Sequence, residues 1–141
     1  MTAPARHWRF MVRFGVVGLL SLALDTAVFL LLALVAGLPV WLANILAWVV
    51  AVQQSYVLNG VWTFKRPWRE LVDHVTYGGF VVGGLLGLAV TTVTVTLAAL
   101  VMPVLPAKGL AILVGVAFNY IASHFVFHAR LKRFGGGEVP G

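Results

Sequence analysis

The chain alternates long apolar runs with short breaks that are polar or contain proline. The apolar runs extend over about 14–36, 40–64, 75–101 and 107–127. Each run reaches the ~20 apolar residues that a helix needs to cross the hydrocarbon core of a bilayer. The pattern therefore predicts an all-α integral membrane protein with four transmembrane helices.

The breaks between the runs contain residues that end helices. Gly37-Leu38-Pro39 separates the first two runs, and the stretch from Met102 to Pro106 separates the last two. Proline lacks a backbone N–H and interrupts a continuing helix. A polar connector, 65–74, lies between the second and third runs. The chain then divides into a basic N-terminus (1–13), a membrane domain (14–130) and a basic, Gly-rich tail (131–141).

The amino-acid composition argues against a water-soluble protein. Apolar residues make up 61% of the chain and charged residues 10%, whereas soluble domains carry about 25% charged residues. No polar stretch is long enough for a catalytic domain, and the sequence contains no Ser-His-Asp set, phosphate-binding loop or metal-ligand motif. We therefore expect a protein that is not an enzyme and that needs no cofactor or metal. The lack of cysteine excludes disulfides and thiol chemistry.

The distribution of basic residues predicts how the helices are oriented. Lys108 lies at one end of the predicted spans, and the other nine of the ten basic residues lie at the opposite end: Arg6, Arg9, Arg13, Lys65, Arg66, Arg69, Arg130, Lys132 and Arg133. Basic residues are enriched on the cytoplasmic side of membrane proteins. We therefore expect a multi-pass protein of the cytoplasmic (inner) membrane, with both termini and the connector 65–74 in the cytoplasm.

The two halves of the chain show weak internal similarity at an offset of 63 residues. Phe14-Gly15 aligns with Tyr77-Gly78, and Trp62-Thr63-Phe64 aligns with Phe125-Val126-Phe127. The alignment predicts two helical hairpins, about 14–64 and 77–127, related as parallel repeats of the kind found in some transporters. The alternative is that two apolar hairpins share a composition without a duplication.

Asp25 is the most informative polar residue inside a predicted span. It follows Arg13 by roughly 18 Å of helix at ~1.5 Å per residue, which is near the middle of a ~30 Å core. Such a carboxylate needs a partner or a proton. Gln53 and Gln54 reach a similar depth from the end of the second span, so they are candidates to hydrogen-bond to Asp25. We place these three residues on a translocation path, although polar side chains also serve to hold helices together.

Further polar residues cluster toward the predicted cytoplasmic side. Asn59, Asn119 and His124 extend the candidate path, and the basic side chains below them form a candidate site for a phosphate or an anionic lipid headgroup: Lys65, Arg66, His128 and Arg130. The simpler alternative is that the basic residues only orient the helices. His124 and His128 are four residues apart without an acidic companion, so no metal site is expected.

Gly79, Gly83 and Gly87 recur every four residues in the third run. Such a stripe lets a second helix backbone approach closely. It predicts either packing within the chain or the seam of a dimer. One chain of four helices offers little room for a hydrophilic path, so we expect a homodimer or a higher oligomer.

Several short motifs together resemble those of the GtrA family of small membrane proteins. The motifs are Phe14-Gly15-Val16-Val17-Gly18, the segment from Ser21 to Phe29, Asn59-Gly60-Val61-Trp62-Thr63-Phe64 and the segment from Phe118 to Phe127. The resemblance implies translocation of polyprenyl-phosphate-linked monosaccharides in cell-surface polysaccharide synthesis, often beside a polyprenyl-phosphate glycosyltransferase. It also implies that Asp25, Asn59 and Asn119 match motif positions of the family.

The chain departs from the family pattern at one point. Family members often carry basic residues just before the aromatic-x-Phe ending, where this chain has Gly60 and Val61 in the first half and His124 in the second. If those basic residues bind phosphate in the family, this chain must use His124 or the flanking Lys65, Arg66 and Arg130 instead.

Three functions follow from these observations. The first is a flippase for a polyprenyl-phosphate-linked sugar. The second is a proton-coupled drug exporter similar to the small multidrug resistance proteins, which also have four spans and one carboxylate buried in the first. The third is a non-transporting anchor that recruits a glycosyltransferase through the connector 65–74 and the tail.

Overall fold

The computed structural model describes the backbone of residues 3–134 and the side chains of residues 8–121. The elements are α1 (Ala3–Leu30), a π-helical turn (Leu31–Val35), α2 (Val40–Leu58), a second π-helical turn (Asn59–Thr63), α3 (Trp68–Leu71), α4 (His74–Ala98) and α5 (Val104–Phe134). The side chains of His124, His128 and Arg130 lie outside the described residues, so their predicted contacts stay predictions.

The predicted all-α membrane fold is confirmed. Within the described residues four helical segments are long and apolar enough to cross a membrane: Trp8–Val35, Val40–Thr63, His74–Ala98 and Val104–Ile121. The fourth begins before Pro106, whereas the sequence pattern started it at 107. Pro106 lies in the first turn of α5, where the backbone N–H groups have no partner within the helix, so proline is tolerated there.

The first membrane helix ends in a widened turn followed by a residue in the left-handed conformation. The N–H of Ala36 donates to the carbonyl of Leu31 at 3.0 Å, and Gly37 has a φ of 69°. Glycine adopts this conformation without steric cost. Pro39 then begins the next helix, so the chain reverses direction within a few residues.

The second membrane helix ends in the same way with a different residue. The N–H of Phe64 donates to the carbonyl of Asn59 at 2.8 Å, and Lys65 follows with a φ of 51°. A non-glycine residue at positive φ is uncommon and strained. Pro67 precedes the short helix α3, which turns the chain toward α4.

The long helices pack in the order α1, α2, α4 and α5. The hairpins α1–α2 and α4–α5 are therefore present, and whether they are true repeats stays a prediction. In the described part of the chain α1 and α5 make no extended contact. We call the end of the molecule that contains the turns 36–39 and 99–103 the loop end, and the opposite end, where α3 lies, the terminal end.

The buried core lies toward the loop end. Its members come from all four long helices and are mostly alanine: Phe29, Ala43, Ala47, Val95, Ala98, Ala107 and Ala111. Small side chains let helix backbones approach closely in a membrane. Large apolar side chains such as Leu19 and Leu113, each 69% exposed, face outward. This outward apolar surface is what a lipid-embedded bundle requires, and the protein is a multi-pass membrane protein.

Candidate functional site: a polar-lined cavity between the four long helices

A cavity of about 980 Å³ lies between α1, α2, α4 and α5. Its lining extends from Phe14 and Phe80 near the terminal end to Asp25 and Lys108 near the loop end. The walls are largely apolar, and the polar side chains that interrupt them are Ser21, Asp25, Asn44, Ser55, Thr91, Lys108 and Asn119. The buried core borders this space near the loop end, where Ala111 belongs to both.

An ion pair joins α1 and α5, which make no extended contact with each other over the described residues. The ammonium of Lys108 in α5 lies 2.5 Å from Oδ2 of Asp25 in α1. The two side chains are 4% and 16% exposed. Asp25 therefore has the partner that a carboxylate at this depth requires, and the partner is a cation of the same chain.

The sequence places Lys108 at the outer end of the predicted spans, and that pattern leaves the direction of its side chain open. Lys108 starts close to the loop end of α5, but its long side chain turns inward and the residue is 3% exposed. A signal for this was present, since Lys108 is the basic residue that departs from the otherwise one-sided distribution. A cation on the side that disfavours cations is a candidate for a buried partner.

Two further contacts, from Asn44 and Phe29, hold the Lys108 ammonium in place. It donates to Oδ1 of Asn44 at 2.8 Å, and Nδ2 of Asn44 donates to Oγ1 of Thr92 at 2.9 Å. The ammonium also lies 4.6 Å from the centroid of the Phe29 ring, a cation–π distance. Asn44 is 2% exposed. Side chains of α1 and α2 thus contact this cation of α5, and Thr92 of α4 is linked to it through Asn44.

The expected hydrogen bonds from Gln53 and Gln54 to Asp25 are wrong. Oε1 of Gln54 accepts from Ser21 Oγ at 2.8 Å, and Nε2 of Gln53 donates to the Tyr77 hydroxyl. Because α1 and α2 are antiparallel, Gln54 lies level with Ser21, which is one helical turn from Asp25. The glutamines therefore tie α2 to α1 and α4 nearer the terminal end.

A second cavity of about 260 Å³ lies at the terminal end, and two of the predicted site residues, Asn59 and Arg66, line it. Asn59 is buried; its amide donates to Ser55 Oγ at 3.2 Å, and its Oδ1 accepts from Thr63 Oγ1 at 3.1 Å. These bonds span the π-helical turn and fix the Asn59 side chain. Arg66 supplies the positive charge of this cavity, and its ion pair with Glu70 at 3.9 Å is largely exposed.

Aromatic and basic side chains fasten α3 and α1 around the terminal end. The Tyr56 hydroxyl donates to the carbonyl of Leu71 at 3.0 Å in a buried position. Leu71 in turn covers Gly60, where a β-carbon would lie 2.1 Å from Leu71 Cδ2. Arg13 donates to the carbonyl of Trp62 at 3.2 Å, and its guanidinium lies 5.7 Å from the centroid of the Trp62 ring. Leu71 thus fills the space that a side chain at position 60 would need.

The start of α4 is capped by Asp73. Its Oδ2 accepts from the backbone N–H and from the hydroxyl of Thr76, each at 2.9 Å. The two hydrogen bonds, the backbone one first, lower the pKa of the Asp73 carboxyl below its ordinary value. Asp73 therefore stays charged and holds the first turn of α4 at neutral pH.

The three glycines of the α4 stripe, Gly79, Gly83 and Gly87, lie in different surroundings. A β-carbon at Gly87 would lie 3.2 Å from Oδ1 of Asn119 in α5, so this glycine permits packing within the chain. Gly83 also lines the large cavity, and β-carbons at Gly79 and Gly83 would meet nothing within 4 Å. A dimer seam at Gly79 and Gly83 stays a prediction.

The comparison with protein families identifies the type of membrane domain. The family described as GtrA/DPMS, transmembrane domain, matches residues 13–130. The chain belongs to the GtrA family. The match covers the ion pair, both cavities and most of each long helix, so the geometry described above is that of a GtrA-type domain. No curated protein and no solved structure matches the chain.

Proposed function

We propose that this GtrA-family protein is a flippase that moves a polyprenyl-phosphate-linked monosaccharide across the cytoplasmic membrane, and that it transports without catalysing a reaction. The supporting observation is the cavity of about 980 Å³, whose largely apolar walls are interrupted by polar side chains and which reaches the Asp25–Lys108 pair near the loop end. Its volume lies near the upper end of the ~300–1,000 Å³ typical of ligand pockets.

The shape of the cavity suits an amphipathic lipid. A sugar phosphate needs hydrogen-bonding groups that the bilayer core lacks, and Ser21, Asn44 and Ser55 provide such groups within the cavity. The polyprenyl tail is apolar and can stay in the bilayer. Since α1 and α5 make no extended contact over the described residues, the space between them provides a lateral opening through which headgroup and tail stay connected.

The predicted orientation indicates which end of the cavity faces the cytoplasm. With both termini in the cytoplasm, the terminal end faces the cytoplasm and the loop end faces outward. The headgroup then enters past Asn59 and Arg66, passes Gln53 and Gln54, and stops below the ion pair. Its release on the outer side requires the loop end to open, and the ion pair is the polar contact that must separate.

The ion pair also weakens the case for a proton-coupled drug exporter. Such an exporter needs a carboxylate that exchanges a proton for a cationic drug, whereas Asp25 is bound at 2.5 Å by a cation of its own chain. A glycosyltransferase that makes the lipid-linked sugar remains the proposed partner. A homodimer or higher oligomer is proposed because a single chain of four helices leaves the space between α1 and α5 without extended helix contact over the described residues.

The experiment is uptake of a water-soluble citronellyl-phosphoryl sugar into liposomes that contain the purified protein. We expect uptake above that of empty liposomes, and a loss of at least tenfold in Asp25→Ala. Leu19→Ala is the matched control, because Leu19 lies on the same helix and faces outward.

Equal uptake by wild type and Asp25→Ala would contradict the assignment of Asp25 to the translocation path. Absence of uptake for every citronellyl-phosphoryl sugar tried would contradict flipping. If a co-expressed glycosyltransferase then lost activity without this protein, the anchor function would replace the flippase.

A further inference from the structure

The large cavity contains one cation and one anion. Among the described residues that line it, Lys108 and Asp25 are the ones with a formal charge, and they neutralise each other. An anionic ligand that enters the cavity therefore meets one positive side chain, and that side chain already has an anionic partner.

The two partners are held to different degrees. Lys108 is fixed on several sides, by Asn44 at 2.8 Å and by the ring of Phe29 at 4.6 Å, and its side chain is 4% exposed. The Asp25 side chain is 16% exposed, and its polar contact within the described residues is the ion pair itself. Asp25 also belongs to α1, which has no extended contact with α5 over the described residues. The carboxylate is thus the partner that can leave.

We propose that Lys108 is the phosphate-binding residue of the cavity and that Asp25 is an internal counter-ion, which the phosphate of the ligand replaces. The inference rests on the proposed function for the identity of the ligand. A phosphodiester carries one negative charge, as the Asp25 carboxylate does, so the exchange conserves the charge beside the buried ammonium. Buried charges have to stay paired, and this exchange keeps Lys108 paired throughout.

The exchange also links binding to the closure of the loop end. Once phosphate occupies Lys108, the polar contact between α1 and α5 is released, and Asp25 is free to move toward the open part of the cavity. A ligand shifts a conformational equilibrium by its difference in affinity for the two states. Phosphate binds better when Asp25 has left, so binding favours separation of α1 from α5.

A purely structural ion pair and an exchangeable one differ in the sign of a mutational effect. If the pair only stabilises the fold, loss of either charge weakens ligand binding. If phosphate competes with Asp25 for Lys108, removing the Asp25 charge strengthens phosphate binding, whereas removing the Lys108 charge abolishes it. Asp25→Asn and Lys108→Gln keep the side-chain size and change the charge, so they separate the two cases.

The test is calorimetric binding to the full chain in detergent micelles at a pH of about 5, with geranyl phosphate, geraniol and inorganic phosphate as the probes. This pH is below the second pKa of a phosphate monoester, which is about 6, so geranyl phosphate carries mainly one negative charge, as a phosphodiester does. We expect Asp25→Asn to bind geranyl phosphate at least tenfold more tightly than wild type, and Lys108→Gln to lose binding. Arg69→Gln removes a charge outside both cavities and should leave the dissociation constant unchanged. Weaker binding in both cavity variants, or no change in either, would overturn the proposal.

A double variant tests whether the loss of binding in Lys108→Gln comes from a folding defect. Asp25→Asn combined with Lys108→Gln leaves no buried unpaired charge, so this variant should fold and still fail to bind geranyl phosphate. Binding equal to wild type in the folded double variant would overturn the assignment of Lys108. Binding of geraniol as tight as that of geranyl phosphate would do the same, since geraniol lacks the phosphate.

The probes identify the source of the phosphate. Tighter binding of geranyl phosphate than of inorganic phosphate supports the proposal with a lipid headgroup as ligand, and equal binding supports it with free phosphate. The measurement needs no transport, so the two proposals can fail separately. The expected binding pattern without transport of a lipid-linked sugar would support the phosphate site and contradict the flippase function. Transport without the expected binding pattern would support the flippase function and contradict the phosphate site.

Discussion

Lys108 at the beginning of α5 lies 2.5 Å from Asp25 in α1, and this ion pair connects the first and last helices of the bundle. The pair crosses a gap that no extended helix packing closes in the described part of the chain. Its energetic contribution can be separated from its contribution to transport.

Loss of one member of the pair should destabilise the protein strongly. Lys108→Met leaves the Asp25 carboxylate without a cation, and an unpaired buried charge costs about 3–5 kcal/mol. The double variant with Asp25→Asn removes both charges and should recover most of that loss. Unfolding in detergent micelles, followed by circular dichroism, measures the difference. A double variant as unstable as the single one would show that shape, and not charge, accounts for the effect.

Packing of α4 against α5 should depend on Gly115. A β-carbon at this position would lie 2.6 Å from Cγ2 of Thr91. We expect Gly115→Ala to destabilise the protein by about 1–3 kcal/mol, the usual range for an overpacked contact. Gly109→Ala is the control on the same helix, since a β-carbon there would meet nothing within 4 Å. The free energy of unfolding should not fall in the control, since alanine favours a helix over glycine by about 0.8–1 kcal/mol; similar losses at both positions would contradict the role of the Thr91 contact.

Lys65 combines a predicted headgroup contact with a strained backbone. Its φ of 51° lies in the left-handed region, where a non-glycine residue is disfavoured by roughly 1–2 kcal/mol. Lys65→Gly should therefore raise the free energy of unfolding by about 1 kcal/mol. Lys65→Ala removes the same charge and keeps the strain, so it should not gain stability. If the charge binds the headgroup, both variants should lose sugar-lipid uptake to the same extent.

The contact between α2 and α3 should depend on the Tyr56 hydroxyl. It donates to the carbonyl of Leu71 at 3.0 Å, and the bond is buried. Tyr56→Phe leaves that carbonyl without its donor, which costs about 1–3 kcal/mol. Tyr120→Phe removes a hydroxyl from a side chain that is 73% exposed and should have little effect. The comparison uses thermal unfolding of the two variants, and equal shifts would contradict the assigned bond.

The cap of α4 should make the stability depend on pH at its acidic end. The pKa of Asp73 is lowered in the folded protein by the hydrogen bonds from Thr76. The stabilisation is therefore fully present above the pKa of the unfolded chain and is lost as pH falls through the lower, folded pKa. Asp73→Ala should remove this part of the acid sensitivity, while Glu70→Gln should keep it. Exchange of the Thr76 amide hydrogen, measured against pH, reports the cap directly.

The number and length of the membrane helices could be predicted because they depend on local properties of the chain. Twenty apolar residues are enough to span a bilayer wherever they occur, and Gly37 and Pro39 end one helix and start the next without help from distant residues. The π-helical turn before Lys65 was not predicted, since no glycine marks the left-handed residue there. The predicted start of α5 came after Pro106 and was too late, because the pattern does not show whether a proline falls inside a helix or in its first turn.

The candidate site was predicted only in part. Asp25 was found from its depth, and Asn59 and Arg66 do line one cavity, but the partners of Gln53 and Gln54 were not those expected. Which polar residue meets which depends on the rotation and the register of helices that pack against each other. These quantities are set by the contacts of small side chains along the whole interface, and one sequence does not specify them.

The sequence by itself determined that this is a four-helix membrane protein of the GtrA family with a carboxylate inside the bilayer, because hydropathy, helix-ending residues and short motifs can be read one segment at a time. Only the tertiary structure decided that Lys108 neutralises Asp25 and that a cavity remains beside the pair. The physical reason is that the depth of a charge follows from its position in one helix, whereas its partner is determined by the packing of all four.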